Sequence, residues 1–344
     1  MNRKLSLFIK VLLITLAALA VVTVTVVVIL INTAKPPDIP QATPAAPHEL
    51  SHENDATPEP GPAAPEDVTV SGRKDLFYTF LIFGIDDGVS TDTIMVASYD
   101  GVAREANVIS IPRDSMVNVG RSVKKINGAY PIGTLNGGGR AGGIEQLKQE
   151  VSTIIGFTPD FYICVNLRAF VRIINALGGL EIDVPMRMRY EDPYQDLSID
   201  IQKGLQTLNG ENALKFARYR QGSDGGKTIT DYQRIENQQT VIKAALDKLL
   251  KPANILKIPE FIGIFTDNVY TDLTAEDMLW FASEISNIKG TEALSVYTMP
   301  TTGNSGAPMW YEYLDGPAIV ELLNETINPY NRPIQLKDLE IVGG

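Results

Sequence analysis

An α/β fold is what the 344-residue sequence predicts: a single large domain with a central mixed β-sheet flanked by helices, preceded by an N-terminal transmembrane helix. Three observations predict it. Continuous apolar runs of strand length, rich in aromatic and β-branched residues, recur through the folded part. Between them lie segments with apolar residues at helical spacing, several of them closed by glycine. No second linker interrupts residues 76–344, so these elements are expected to share one domain, and no internal repeat is evident.

The N-terminal elements come first. Residues 11–31 carry no charge and are dominated by Val, Leu, Ile and Ala. A run of about 21 residues crosses a hydrocarbon core of roughly 30 Å as a helix. Arg3, Lys4 and Lys10 precede it and only Lys35 follows closely. The positive-inside rule then makes residues 1–10 a cytoplasmic tail and places the folded part outside the cell. A cleaved signal peptide would have a shorter apolar region and a small-residue cleavage site. The β-branched stretch 23–31 has no such site, so the segment reads as an uncleaved signal anchor in the cell membrane. Residues 32–75 turn to Pro, Ala, Glu, Asp and Thr, a composition that cannot bury a core, and are expected to form a disordered extracellular tether.

In the folded part, "LFYTFLIFGID" (76–86), "DTIMVASYD" and "NVISIPRD" read as three strands. If they run antiparallel in sequence, Asp86 ends the first, Asp92 starts the second, and Arg113 with Asp114 ends the third, all on one edge of the sheet. "GGIEQLKQEVSTIIG" sets Ile144, Leu147, Val151 and Ile154 at helical spacing before Gly156. "DFYICVNL" is a strand, "NLRAFVRIINALGG" a helix with Asn166 as candidate cap, and "LEIDVP" a strand. "LNGENALKFAR" is a short helix that delivers Arg218 near its end. Thr230 or Asp231 caps "YQRIENQQTVIKAALDKLL", where Arg234 and Gln238 share a face beside free backbone N–H groups. "AEDMLWFASEI" and "GPAIVELLNETI" are helical, and "ALSVYTMP" is a strand.

Composition removes whole classes of chemistry. The net charge is -11, and no basic recognition helix stands out, which argues against nucleic acid. Both histidines, His48 and His52, lie in the tether, and Cys164 is the only cysteine. The folded part therefore has no means for Ser-His-Asp or Cys-His catalysis, a histidine-rich zinc site or an internal disulfide. "GGGRAG" (137–142) satisfies GxGxxG literally, but the preceding segment is a poor strand and no GK[ST] follows. A flexible loop leading into a helix is the reading preferred to a nucleotide site. Carboxylates and arginines remain. Asp86 and Asp92 suit the sparse carboxylate set of magnesium, although "DDG" is also good turn chemistry. Arg218, Arg220, Lys227 and Arg234 surround a glycine-rich segment as a phosphate clamp would, or as a solvated turn between helices would.

Six motifs then occur in a fixed order: "FGIDDGVSTDTIMV", "VISIPRDSMV", "KINGAY", "ALGGLEIDVP", "LNGENALKFARYR" and "DYQRIENQQ". In this the sequence resembles the LytR-CpsA-Psr family, closely over the core 76–249 and more loosely to residue 344. The resemblance implies a magnesium-dependent enzyme, with manganese as the alternative metal. It would transfer a glycopolymer such as teichoic acid or capsule from a polyprenyl-pyrophosphate carrier to peptidoglycan. Asp92 resembles the family's metal ligand, and Asp86 its acidic companion or base. Arg113, Arg218, Arg220 and Arg234 resemble pyrophosphate ligands, with Gln238 and Lys125 beside the head group. Ile144, Leu147, Val151, Phe170 and Ile174 are expected to wall the pocket for the lipid tail. The pattern departs from the family at Gly88 and at Ser90-Thr91, where arginines are usual, and at Gln233, where glycine is usual. Lys125, Arg121 and Lys227 are the cations left to substitute. The alternatives are a non-catalytic carrier- or polymer-binding regulator, and a pyrophosphatase using water as acceptor.

Overall fold

The computed structural model describes residues 34–39, 72–85, 91, 93–192, 197–223, 227–249, 269–285, 293–304 and 309–342, with isolated positions between 251 and 264. The expected membrane helix (11–31), most of the expected tether, Asp86 and Asp92 lie outside these residues. No helix among the described residues is long and apolar enough to cross a membrane. The chain groups into two compact units, a division that no change of composition marks. One is Ile39–Leu167 with Leu294–Gly344; the other is Arg168–Ala293 with Met1–Asp38.

The elements begin with β1 (Phe77–Ile85), β2 (Thr93–Asp100), β3 (Glu105–Ile111), α1 (Gly139–Ile155) and β4 (Phe161–Asn166). Next come α2 (Leu167–Ala176), β5 (Leu180–Val184), β6 (Met188–Asp192), β7 (Leu197–Ile201) and β8 (Gly204–Leu208). They are followed by α3 (Gly210–Arg218), α4 (Asp231–Leu249), β9 (Val269–Thr271) and α5 (Ala275–Ile285). The chain closes with β10 (Leu294–Thr298), β11 (Thr301–Asn304), β12 (Glu312–Leu314) and α6 (Gly316–Thr326).

In the first unit five strands lie in the order β10-β3-β2-β1-β4. β1 and β3 pair antiparallel with β2, whereas β1–β4 and β3–β10 are parallel. The sheet is mixed, as predicted. Residues on both faces of β1 and β2 are buried, which is why these strands read as unbroken apolar runs. It follows that β1, β3, β4 and β10 point the same way and end on one edge, where β2 begins. β3 stops at Ile111 rather than running through Arg113, because Pro112 has no amide to donate to a ladder. The chain turns there instead, with Ser115 N–H donating to the Pro112 carbonyl at 3.0 Å.

At the opposite edge residues 72–75, which the composition assigns to the tether, are tied to the sheet unit. Arg73 bridges Tyr330 across the backbone and forms an ion pair with Asp160, the residue just before β4. Asp160 also accepts from the Thr79 amide at 2.8 Å and the Thr79 hydroxyl at 2.7 Å. Burial raises its pKa above the ordinary carboxylate value, against the opposing pull of Arg73 and Thr79.

The glycine-rich motif has a packing role. Residues 134–138 form a helical turn that runs into α1, not the expected flexible loop. A Cβ on Gly142 would stand 2.7 Å from the Gly133 carbonyl oxygen, so the two backbones approach as only glycine allows. α1 closes at Gly156 in the left-handed conformation (φ +78°), as its sequence predicts.

In the second unit β5 pairs antiparallel with β8, and β6 with β7. Leu180, Ile182 and Val184 alternate inward from β5 and join Phe216 of α3, Tyr219 and Val241 of α4 in one apolar core. Asn209 caps α3, its side chain accepting from the Asn212 amide at 2.9 Å.

Candidate active site

The carboxyl edge of the sheet is where open α/β folds bind ligands, and the motifs "IPRD" and "KING" meet there. Lys125 Nζ donates to Asp114 Oδ1 at 2.9 Å, and Arg113 Nε stands 4.0 Å from Asp114 Oδ2. The backbone holds the same contact, with Ile126 N–H donating to Ser115 O at 3.0 Å and Asn127 N–H to Arg113 O at 3.2 Å. Buried Thr91 donates its hydroxyl to Asn127 O at 3.0 Å, which ties the start of β2 to the same turn. Asp114 is thus the organising carboxylate of this edge. The sequence reading gave it no role, although the acid after the arginine in "IPRD" was the available signal.

Two cations left to substitute for arginine are already engaged. Arg121 makes a forked ion pair with the buried Glu150 of α1, Nη2 lying 2.8 Å from Oε2, and donates to the carbonyls of Val123 and Lys125. Its guanidinium therefore serves the fold rather than an anion, which corrects that expectation. Lys125 holds Asp114 and lies 5.9 Å from the Tyr311 ring centroid.

Another basic group stands beside the edge. Arg140, exposed in the first turn of α1, hydrogen-bonds the Tyr130 side chain. The Tyr130 ring lies 5.7 Å from Phe83 of β1. Burial raises the Tyr130 hydroxyl pKa, while Arg140 draws it down. Burial also pushes the Cys164 thiol of β4 up to about 12, so this cysteine is an inert core residue. In the sequence Arg140 was visible only as one residue of a glycine-rich run.

The second unit carries the other arginines, each set by backbone architecture. Arg218 ends α3, and the extended Tyr219 (φ -57°, ψ 129°) turns its ring into the core, leaving Arg218 and Arg220 on either side of it. The Tyr219 hydroxyl donates to Lys227 O at 2.6 Å and Ile229 N–H donates to Arg220 O at 2.9 Å, closing the loop on itself. Thr230 and Gln233 form a reciprocal cap at the start of α4: Gln233 N–H reaches Thr230 Oγ1 at 3.2 Å, and Thr230 N–H reaches Gln233 Oε1 at 3.0 Å. That explains glutamine in place of the family's glycine. The cap fixes the first turn of α4, which carries Arg234, buried, and Gln238 one turn later, half-buried.

The residues expected in one site therefore fall into three groups. Arg113 and Lys125 belong to the sheet unit, and Arg218, Arg220, Arg234 and Gln238 to the other. Asp86 and Asp92 lie outside the described residues. Among the described residues no group of three His, Cys, Asp or Glu could hold a metal. Of the expected lipid walls, Ile144, Leu147 and Val151 are buried on α1, while Ile174 belongs to the core of the second unit and Phe170 packs against it.

The comparisons agree with this architecture. The model of the LytR_cpsA_psr family matches residues 48–328. The polyisoprenyl-teichoic acid–peptidoglycan teichoic acid transferase TagU of Oceanobacillus iheyensis is 30% identical over 67% of this chain and 69% of its own. The regulatory protein MsrR of Staphylococcus aureus is 26% identical over 66% of each chain. The crystal structure of TagV from B. subtilis superposes with a TM-score of 0.58 at 24% identity, covering 72% of this chain and 94% of that one.

Proposed function

The chain belongs to the LytR-CpsA-Psr family, and on that premise we propose that it is a phosphotransferase of cell-wall assembly. It would move an anionic glycopolymer from a polyprenyl-pyrophosphate carrier to peptidoglycan. The observation that carries this reading is the carboxyl edge of the sheet, where the Asn127 amide fixes the Arg113 backbone and Asp114 lies 4.0 Å from the Arg113 Nε. An arginine whose neighbours are already fixed loses little freedom on gripping a phosphate, so its charge is preorganised. Arg218, Arg220 and Arg234 supply further charge in this reading, with Gln238 and Lys125 beside the head group. Similarity to TagU, named a teichoic acid transferase, supports the glycopolymer and the peptidoglycan acceptor as partners.

Asp92 and Asp86 would hold magnesium, since two carboxylates completed by phosphate oxygens and water are the donor set this ion takes. The ion would neutralise charge on the leaving phosphate. The muramic acid hydroxyl would attack the sugar-linked phosphorus as the polyprenyl phosphate departs, activated by Asp86 as base or by the metal. Ile144, Leu147 and Val151 of α1 are the apolar side chains offered to the lipid tail. The N-terminal segment 11–31 would anchor the enzyme with its folded part outside the cell.

The test is direct. Full-length protein in detergent is incubated with a polyprenyl-pyrophosphate saccharide, magnesium and peptidoglycan oligomers, and polymer-linked product is sought. Product that disappears with Asp92→Ala is the expected result. Similarity to MsrR, named a regulatory protein, favours a second reading in which the chain binds the carrier without turnover. Binding with no product from any wall acceptor would establish that reading instead, and phosphate release into water alone would make the protein a pyrophosphatase.

A further inference from the structure

The chain has two tryptophans. Trp280 is buried, with 6% of its surface exposed, whereas Trp310 keeps 49% of its surface in water. Burying a large ring is among the most favourable packing events open to a chain, so a half-exposed ring held in one orientation invites a ligand. Trp310 is so held. Its Nε1–H donates to Glu312 Oε1 at 3.4 Å, and Glu312 is itself buried at the start of β12. With the indole N–H engaged, what remains for solvent is largely apolar ring face.

The backbone next to this ring runs along the candidate site. Glu312 N–H donates to Asp114 O at 3.0 Å, Met116 N–H donates to Glu312 O at 2.9 Å, and Ser115 bridges Glu312. The neighbouring Tyr311 accepts from the Lys124 amide at 3.2 Å and lies beside Lys125. Trp310 is thus two residues from a strand that is pinned to Asp114, the carboxylate between Arg113 and Lys125. Exposed Val123 and Met309 add apolar surface on the same two segments.

We propose that Trp310 is a stacking platform for a pyranose ring of a wall glycan, set beside the phosphate-binding edge. A pyranose offers an apolar C–H face to an aromatic ring and hydroxyls around its rim to nearby polar groups. A lipid bilayer is the rival occupant for an exposed tryptophan, but a carboxylate bonded to the indole N–H suits an anionic bilayer surface poorly. The identity of the glycan rests on the transferase reading; the binding step does not. The sugar could be the peptidoglycan acceptor or the first residues of the lipid-linked donor, and both present the same face.

Calorimetry on the full-length protein in detergent separates the cases. The probes are a phosphate-free peptidoglycan oligosaccharide and a polyprenyl-pyrophosphate-linked saccharide. Trp310→Ala should raise Kd about ten-fold, or 1.4 kcal/mol, for whichever probe seats its sugar on the ring. Trp310→Phe, which keeps an apolar ring, should recover most of that loss. A loss confined to the oligosaccharide assigns the acceptor, and one confined to the lipid-linked probe assigns the donor. Unchanged Kd for both probes overturns the proposal, as does a Trp310 dependence seen only with phosphatidylglycerol vesicles. The oligosaccharide has no leaving group, so failure of the transferase reading would leave its result standing.

Discussion

The two units fix their cations by different means. In the sheet unit carboxylates do it: Arg73 with Asp160, Arg121 with Glu150, and Arg113 and Lys125 with Asp114. In the second unit exposed Arg187 pairs with Asp200, but the arginines of the ordered motifs are set by local backbone: a helix end at Arg218, a closed loop at Arg220 and a capped first turn at Arg234. Arg73 and Arg121, each paired with a deeply buried carboxylate, are part of the fold, and removing such a partner leaves an uncompensated charge. A cation positioned by backbone can be removed with the scaffold intact. Mutations at Glu150 should therefore register as lost stability, and those at Arg218 and Arg220 as lost affinity.

The largest expected effect tests the first half of that contrast. Glu150, only 3% exposed, also accepts from Gln146 at 2.9 Å, so Glu150→Ala strands Arg121 and should cost about 3–5 kcal/mol. Chemical denaturation measures it, and a loss below roughly 1 kcal/mol would blur the distinction between the units. Next in size, Arg218→Ala or Arg220→Ala should leave the unfolding midpoint nearly unchanged. Each should still weaken binding of a polyprenyl pyrophosphate by about ten- to hundred-fold, since a charge-assisted contact is worth roughly 1.5–3 kcal/mol. Unfolding of these variants at lower denaturant with affinity intact would reverse the assignment.

A smaller effect sharpens the scaffold argument. Thr230→Ala removes one arm of the α4 cap and should cost about 1 kcal/mol. It should also weaken the carrier grip, because Arg234 lies in the turn that the cap fixes, and calorimetry on the same variant reads both numbers. The smallest effect concerns acid. Because burial raises the folded-state pKa of Asp160 above 3.8, its contribution to stability is fully present below that pH and fades as pH rises through the raised value. Against Asp160→Asn, the wild-type protein should lose ground in thermal stability as the pH rises above 3.8. A wild-type advantage that grows over this range would show instead that Arg73 outweighs burial.

Long, strongly patterned elements were legible in the sequence. The β1–β3 meander, α1 with its Gly156 stop, α3 and α4 announce themselves by periodicity, caps and glycine, all of which act within a few residues. The cations Arg113, Arg218, Arg220 and Arg234 could be picked out because ordered motifs carried them. What could not be read depends on partners distant in sequence. Arg121 looks like any surface arginine until Glu150 comes up beside it on α1. Arg73 looks like tether until Asp160 and Tyr330 close around it. Gln233 is a departure from the family pattern until Thr230 turns back to meet it. The strands β6 to β8 went unread because each is five residues long and, unlike β5 after its Gly-Gly stop, follows no clear boundary signal.

The attachment of Gly72 and Arg73 at the amino end of β1 has a mechanical consequence. β1 is nine residues long, so it carries the chain roughly 27 Å through the middle of the sheet from that entry point to the carboxyl edge. Any pull arriving through residue 71 is first resisted at the Arg73 clasp. It then loads β1 along its own axis, with the β2 ladder on one side and the β4 ladder on the other. Tension in that direction is shared by all the rungs at once instead of peeling them singly. The far end of the strand, on the same edge where β3 delivers Arg113, is thereby insulated from such a pull.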